Sequence, residues 1–165
     1  MRVALVLFSL AMASTAVVAQ AQQIERIDVV EPGLYTASVV SAARNASGIL
    51  QNTLNNTQLV QATREVPAKP GVRFGFRFAV VGEPKGTTVN VKKVIIFPAG
   101  GLQSPASKEP LTRSERTITR ELDGEALYTG YSFDDPWELV PGTWTIELWH
   151  GDRKLTSQSF KVFKP

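Results

Sequence analysis

Apolar and polar positions alternate strictly through residues 72–80. Val72, Phe74, Phe76, Phe78 and Val80 fall on one side and Arg73, Gly75, Arg77 and Ala79 on the other. A period of two over this length predicts a β-strand with one face in a core. The same period returns late in the chain, where Trp144, Ile146 and Leu148 alternate with Thr143, Thr145 and Glu147. Gly151-Asp152 follows, a pair suited to a two-residue hairpin turn, and residues 155–162 form the return strand. That turn pairs Leu148 with Leu155 and Trp144 with Ser159, which sends Phe160 and Val162 to the face opposite Trp144. A bulge near residues 157–159 would return them to the core, and it is expected on that ground. All three tryptophans lie between residues 131 and 162. Burying one removes about 150–250 Å² from water, a gross gain of roughly 4–6 kcal/mol, so stability should concentrate here.

The other elements read more faintly. Residues 24–30 are β-rich and stop at Glu31-Pro32-Gly33, and residues 34–36 resume as a short extended piece. Residues 38–56 are small and polar, with Ile49, Leu50 and Leu54 as anchors, and read as a long surface connection with room for a loose strand. A strand over 59–66 is stopped by Pro67 and Pro70. Beyond the turn at 82–86, residues 88–97 form a partner strand whose apolar phase changes across Lys92-Lys93, which predicts a bulge there. Residues 98–110 are a Pro-, Gly- and Ser-rich loop. Residues 111–122, polar and charged, have the character of an exposed edge strand, and residues 127–133 follow the Asp123-Gly124 turn. No segment carries the period of a long amphipathic helix. Eight or nine short strands between Gly, Pro and Asp turns predict an all-β, two-sheet immunoglobulin-like sandwich, with a small closed β-barrel as the alternative.

Composition narrows the setting. Met1-Arg2, an apolar run over 3–13 and the small residues ending Ala19-Gln20-Ala21 have the layout of a secretory signal peptide. Residues 1–21 are therefore read as a leader and 22–165 as one β-sandwich domain, with cleavage after Ala21 and a second choice after Ala19. The apolar run is too short to span a bilayer comfortably, and nothing downstream replaces it. The expected location is the periplasm of a Gram-negative cell, or outside the cell. The chain has no cysteine, which closes the route to a lipid anchor at a new N-terminus and leaves a domain that folds without disulfides. Lys and Arg number 18 against 15 Asp and Glu, and Arg2 lies in the leader, so no dense basic block points to nucleic acid. Asn45-Ala46-Ser47 and Asn55-Asn56-Thr57 match the glycosylation acceptor pattern, which matters only in a eukaryotic source.

Four segments, FGFRF (74–78), YSFDDPWELVPGTW (131–144), GDRKL (151–155) and SFKV (159–162), resemble in this order an exported proteobacterial family known only as a domain of unknown function. The likeness is strongest over residues 59–163, and DPWELVPGTW is its most specific part. The resemblance implies a Gram-negative source and a β-sandwich. It brings no activity, ligand or catalytic residue.

Little of the usual catalytic equipment is present. One histidine and no cysteine exclude Cys–His catalysis and zinc sites built on cysteine or several histidines. There is no G-x-S-x-G, H-E-x-x-H or P-loop motif, and Gly100-Gly101 is too weak a signal for phosphate binding. No catalytic residue, cofactor or metal site is therefore assigned. Asp134, Asp135 and Glu138 form the one tight carboxylate cluster, open to reading as a hydrolase pair or part of a calcium site. A helix start explains them more economically, with Asp135 at the N-cap, Pro136 next and Glu138 reaching back to the cap. Lys92-Lys93, Arg113, Arg116 and Arg120 would give a basic surface suited to anionic envelope polymers, although scattered charge is ordinarily a solvated face.

The expected function is a non-catalytic module that binds an envelope protein or polymer. The alternatives are binding of a carbohydrate or cell-wall fragment on an exposed aromatic, and hydrolysis at Asp134, Asp135 and Glu138. The candidate surface is Trp149, His150 and Lys154. Alternation places Trp149 opposite the core set and across from Lys154, either as an open platform or covered by the N-terminal strand or the 38–56 connection.

Overall fold

A computed structural model describes residues 23–165; the leader expected over 1–21 lies outside the described residues. Among the described residues nine strands make two open sheets, and no barrel closes. They are β1 (Gln23–Arg44), β2 (Leu50–Ala62), β3 (Glu65–Pro67), β4 (Arg73–Glu83), β5 (Thr88–Ile96), β6 (Arg113–Glu121), β7 (Leu127–Ser132), β8 (Gly142–His150) and β9 (Arg153–Phe163). One sheet has the order β2-β1-β4-β7 and the other β3-β9-β8-β5-β6. All pairs are antiparallel except β3 with β9.

The two strongly alternating strands face each other across the core. Phe74, Phe76, Phe78 and Val80 of β4 meet Trp144, Ile146 and Leu148 of β8, all buried. Around Trp144 the rings of Tyr131, Phe97, Phe133 and Phe74 lie with centroids 5.0, 5.1, 5.4 and 5.9 Å away. The indole N–H donates to Val140 O at 2.9 Å, so the largest core side chain leaves no polar atom wanting. Phe160 pairs with Trp144 and shares its face. The bulge that brings it there sits at Leu155, between the Trp149–Lys154 and Leu148–Thr156 pairs, not at 157–159. It follows the turn directly, where one added residue corrects the whole return strand.

Two expectations for single strands are overturned. β5 keeps one continuous register with both β6 and β8, so there is no bulge at Lys92-Lys93. Lys93 instead takes an inward position in line with Val89, Val91 and Ile95, while Val94 is buried on the opposite face. The long connection over 38–56 is also absent. β1 passes through Glu31 (φ 54°) by a bulge and runs on to Arg44, pairing first with β4 and then with β2. Beyond Tyr35 it has left β4, whose first residue is Arg73, so the rest of β1 and its partner β2 form a two-stranded arm. The turn of the arm is held by Asn45, whose Oδ1 accepts from Ser47 N and Ile49 N at 3.0 Å each. No helix of the described residues is long and apolar enough to cross a membrane.

Candidate functional site

The pattern break at Lys93 marks the site. β6 and β7 are edge strands of opposite sheets, and a cleft of about 350 Å³ lies between them. β6 alternates regularly: Arg113, Glu115, Thr117 and Thr119 are exposed, while Ser114, Arg116, Ile118 and Arg120 are half-buried on the inward side. Arg116 pairs with Lys93 in the ladder, and Arg120 with Val89, so three cations share the inward face. Arg73 reaches the cleft from β4, and Ile49 to Leu54 of the arm close it on another side.

These cations are poorly compensated. Lys93 Nζ donates to Gly130 O at 3.0 Å, one acceptor for an ammonium with three donors. Arg120 donates to Tyr128 O at 3.3 Å and to Thr119 O at 2.9 Å and lies 4.9 Å from the centroid of Phe78, but its Nε is buried without an acceptor. The Arg116 side chain has no hydrogen bond or ion pair among the described residues. Nor is any of the three in an ion pair among the described residues, where Glu115 is taken by Arg113 and Asp134 by Asn52 and Ser132. Burial, reinforced by Arg116 and Arg120, pushes the Lys93 ammonium down from 10.5 to about 8. Burial likewise lowers Arg120. A low-dielectric cluster of one sign is costly until a counter-charge enters it.

The carboxylate cluster does other work. Glu138 is fully buried; its Oε2 accepts from Asp134 N at 2.7 Å and Asp135 N at 2.9 Å, and its Oε1 from Tyr131 OH at 2.7 Å. Burial raises Glu138 above the usual carboxylate range, and burial with Glu138 beside it raises the Tyr131 phenol. Asp135 stands at the N-cap of the single 3-10 turn Pro136–Glu138 in extended conformation. Its carboxylate, however, is held by Arg44 of the arm at 2.6 and 3.2 Å. Asp134 accepts from Asn52, also of the arm, at 3.2 Å. With Ser104 Oγ donating to Ser47 O at 2.6 Å, these bonds tie the arm down beside the cleft. Among the described residues no three His, Cys, Asp or Glu side chains converge as a metal site.

Trp149 is half-buried on the outer face of the five-stranded sheet. Its indole N–H donates to Glu147 at 2.9 Å, and the Lys154 and Lys92 ammonium groups lie 5.2 and 6.0 Å from its ring centroid. It is thus neither a bare platform nor a fully covered residue. Lys154 also bonds Glu147 at 2.7 Å, and His150 Nδ1 lies 3.0 Å from Asn90 O. Trp149 and Lys154 are therefore neighbours, already engaged, on the face away from the cleft, whereas His150 alternates with Trp149 along β8 and falls on the side of Leu148.

The sequence placed Lys93, Arg116 and Arg120 in one loose group with Lys92 and Arg113; strand parity separates the first three as inward and the last two as outward. It gave no sign of Arg44 and Asn52, whose partners are more than 80 residues away.

Residues 23–162 match the profile of a family described as domain of unknown function (DUF3859). The chain belongs to this family. A DUF3859 assignment carries no activity with it. Among solved structures the chain is similar to an immunoglobulin-like protein from Pseudomonas aeruginosa, with 26% identity and a TM-score of 0.58 over 87% of this chain and 98% of that one. The DUF3859 sandwich is thus immunoglobulin-like. No curated protein matches the chain.

Proposed function

We propose that this protein is an exported, non-catalytic binding module of the cell envelope, and that its ligand presents an anionic group to the cleft between β6 and β7. The observation that carries this reading is the set of Lys93, Arg116 and Arg120 on one inward face, none in an ion pair among the described residues. An arriving carboxylate or phosphate supplies the missing acceptors, and such charge-assisted bonds are roughly twice as strong as neutral ones. Export is supported by the leader read over residues 1–21. The measured mass of the exported protein should correspond to a chain beginning at Gln22; retention of the leader would remove the envelope from the proposal.

Titration calorimetry at low salt against inorganic phosphate, citrate, polyglutamate and polygalacturonate tests the site. At least one should bind the native protein, and Arg116→Ala should weaken it by roughly tenfold or more. If all four bind native protein and variant alike, the cleft is not the site.

A further inference from the structure

The edge of β7 bears on the shape of the molecule that would carry the charge. Phe133 N donates to Val72 O at 3.0 Å, which places Phe133, and by alternation Tyr131, Thr129 and Leu127, in the hydrogen-bonded pairs with β4. Tyr128, Gly130 and Ser132 therefore turn their N–H and C=O groups away from β4, towards the cleft. Two of those carbonyls are engaged, and by cations: Gly130 O by Lys93 and Tyr128 O by Arg120. Side-chain tips from the opposite sheet thus occupy the places where a neighbouring strand would donate. This guards a free edge against indiscriminate pairing.

Resting on the anion reading above, we infer that the ligand is an extended acidic peptide segment of a partner protein, which adds as a strand along β7 and presents carboxylates to Lys93, Arg116 and Arg120. The exchange balances group by group. The Tyr128 and Gly130 carbonyls trade a side-chain donor for a peptide N–H, and the outward N–H groups of Tyr128, Gly130 and Ser132 gain peptide carbonyls. Lys93 and Arg120 trade a neutral carbonyl for a carboxylate, the stronger acceptor. Arg116, on the same inward face, gains a first partner. A strand's period of two matches the spacing of both sets: Tyr128, Gly130 and Ser132 along the edge, and acidic side chains recurring every second residue along the peptide. A polysaccharide would satisfy the cations but has no regular donor–acceptor ladder to offer the edge.

The probe is the blocked heptapeptide acetyl-Val-Glu-Val-Glu-Val-Glu-Val-amide, with two versions N-methylated at alternate residues in the two registers, a version with lysine for glutamate, and polygalacturonate. The expected result is binding of the parent peptide, loss of binding in only one methylated register, and no binding of the lysine version. Arg116→Ala should weaken the parent peptide by roughly tenfold or more, whereas Thr117→Ala, on the outer side of β6, should not. Amide exchange at Tyr128, Gly130 and Ser132 should slow on addition of peptide. Equal binding of parent and both methylated peptides, with Arg116 still required, overturns the strand while keeping the anion site. Binding of polygalacturonate without the peptide assigns the cleft to polymer instead. Failure of every anion to bind overturns both readings.

Discussion

The inward face of the five-stranded sheet carries two opposed environments. At one end, Trp144 sits among aromatic rings with its N–H bonded to Val140, and nearby Glu138 has every bond its position demands. At the other, Lys93 has a single acceptor, Arg120 Nε none, and the Arg116 side chain none among the described residues. Buried polar groups are ordinarily satisfied, so the first region stores stability and the second gives some of it up. A sandwich this size can carry that cost because the aromatic end is so well packed. Unsatisfied donors of one sign in a cleft are what the proposed ligand would pair, whereas a satisfied buried carboxylate such as Glu138 is a requirement for the fold.

Substitution at the aromatic end should have the largest effect. Trp144→Ala empties a fully buried site and should cost about 3–5 kcal/mol by urea denaturation, with global loss of structure at ordinary temperatures. Glu138→Ala comes next. It leaves the Tyr131 hydroxyl and two backbone N–H groups without their acceptor, and should cost about 2–3 kcal/mol. If either variant unfolds no more readily than a surface substitution, this region is not the seat of stability.

The two regions were unequally legible in the sequence. The aromatic end was read because its signal is periodic: β4 alternates up to Val80 and β8 up to Leu148, and the need to keep Phe160 with Trp144 implied a bulge even though its place, Leu155, was missed. The cleft was obscured because its signal is a defect in the same pattern. Lys93 in an inward position reads, on sequence alone, as a slip of register, and a bulge is the commoner remedy for a slip. The arm was taken for a connection because most of its side chains are small or polar and its few larger apolar ones follow no period, with Val39, Val40 and Val60 exposed and Ile49 buried. Its partner Asp135 read, with Glu138, as a local cap, and the further contact to Arg44 was not legible because it spans the chain.

Lys93→Met should act in the opposite direction to the aromatic-end variants. It removes a half-buried ammonium held by one carbonyl, and should stabilise the free protein by about 1 kcal/mol at pH 7 while weakening anion binding. The pH dependence has a definite sign. With Lys93 at about 8 in the folded state and 10.5 when unfolded, the unfolded chain holds a proton in that window that the folded chain has released. Stability should therefore rise between about pH 8 and pH 10.5, and the difference between wild type and Lys93→Met should shrink over the same range. Anion affinity should run the other way, falling above about pH 8 as the charge is lost. A variant less stable than wild type at pH 7 would show that Lys93 serves the fold more than the cleft.

The smallest effect is expected where the two regions are joined. Asp135 lies at the N-cap of the turn next to Glu138, yet its carboxylate holds Arg44 at the end of β1. A partly exposed ion pair adds little to global stability, and Glu138 still serves the backbone of the turn when Asp135 is replaced. What Asp135→Ala should release is the tip of the arm, which the Asn52 and Ser104 bonds and the burial of Ile49 then hold, with Arg77 to Thr57 O further along β2. Local opening of such a segment needs far less free energy than global unfolding, so hydrogen exchange will register what melting does not. Amides over 45–52 should exchange faster in the variant while those of β4 and β8 stay unchanged. Because Ile49 to Leu54 line the cleft, anion binding should weaken modestly as their positions become less fixed. Equal exchange in the arm with a large fall in melting temperature would place Asp135 with the stability-bearing end of the molecule, and the Arg44 contact would then be incidental.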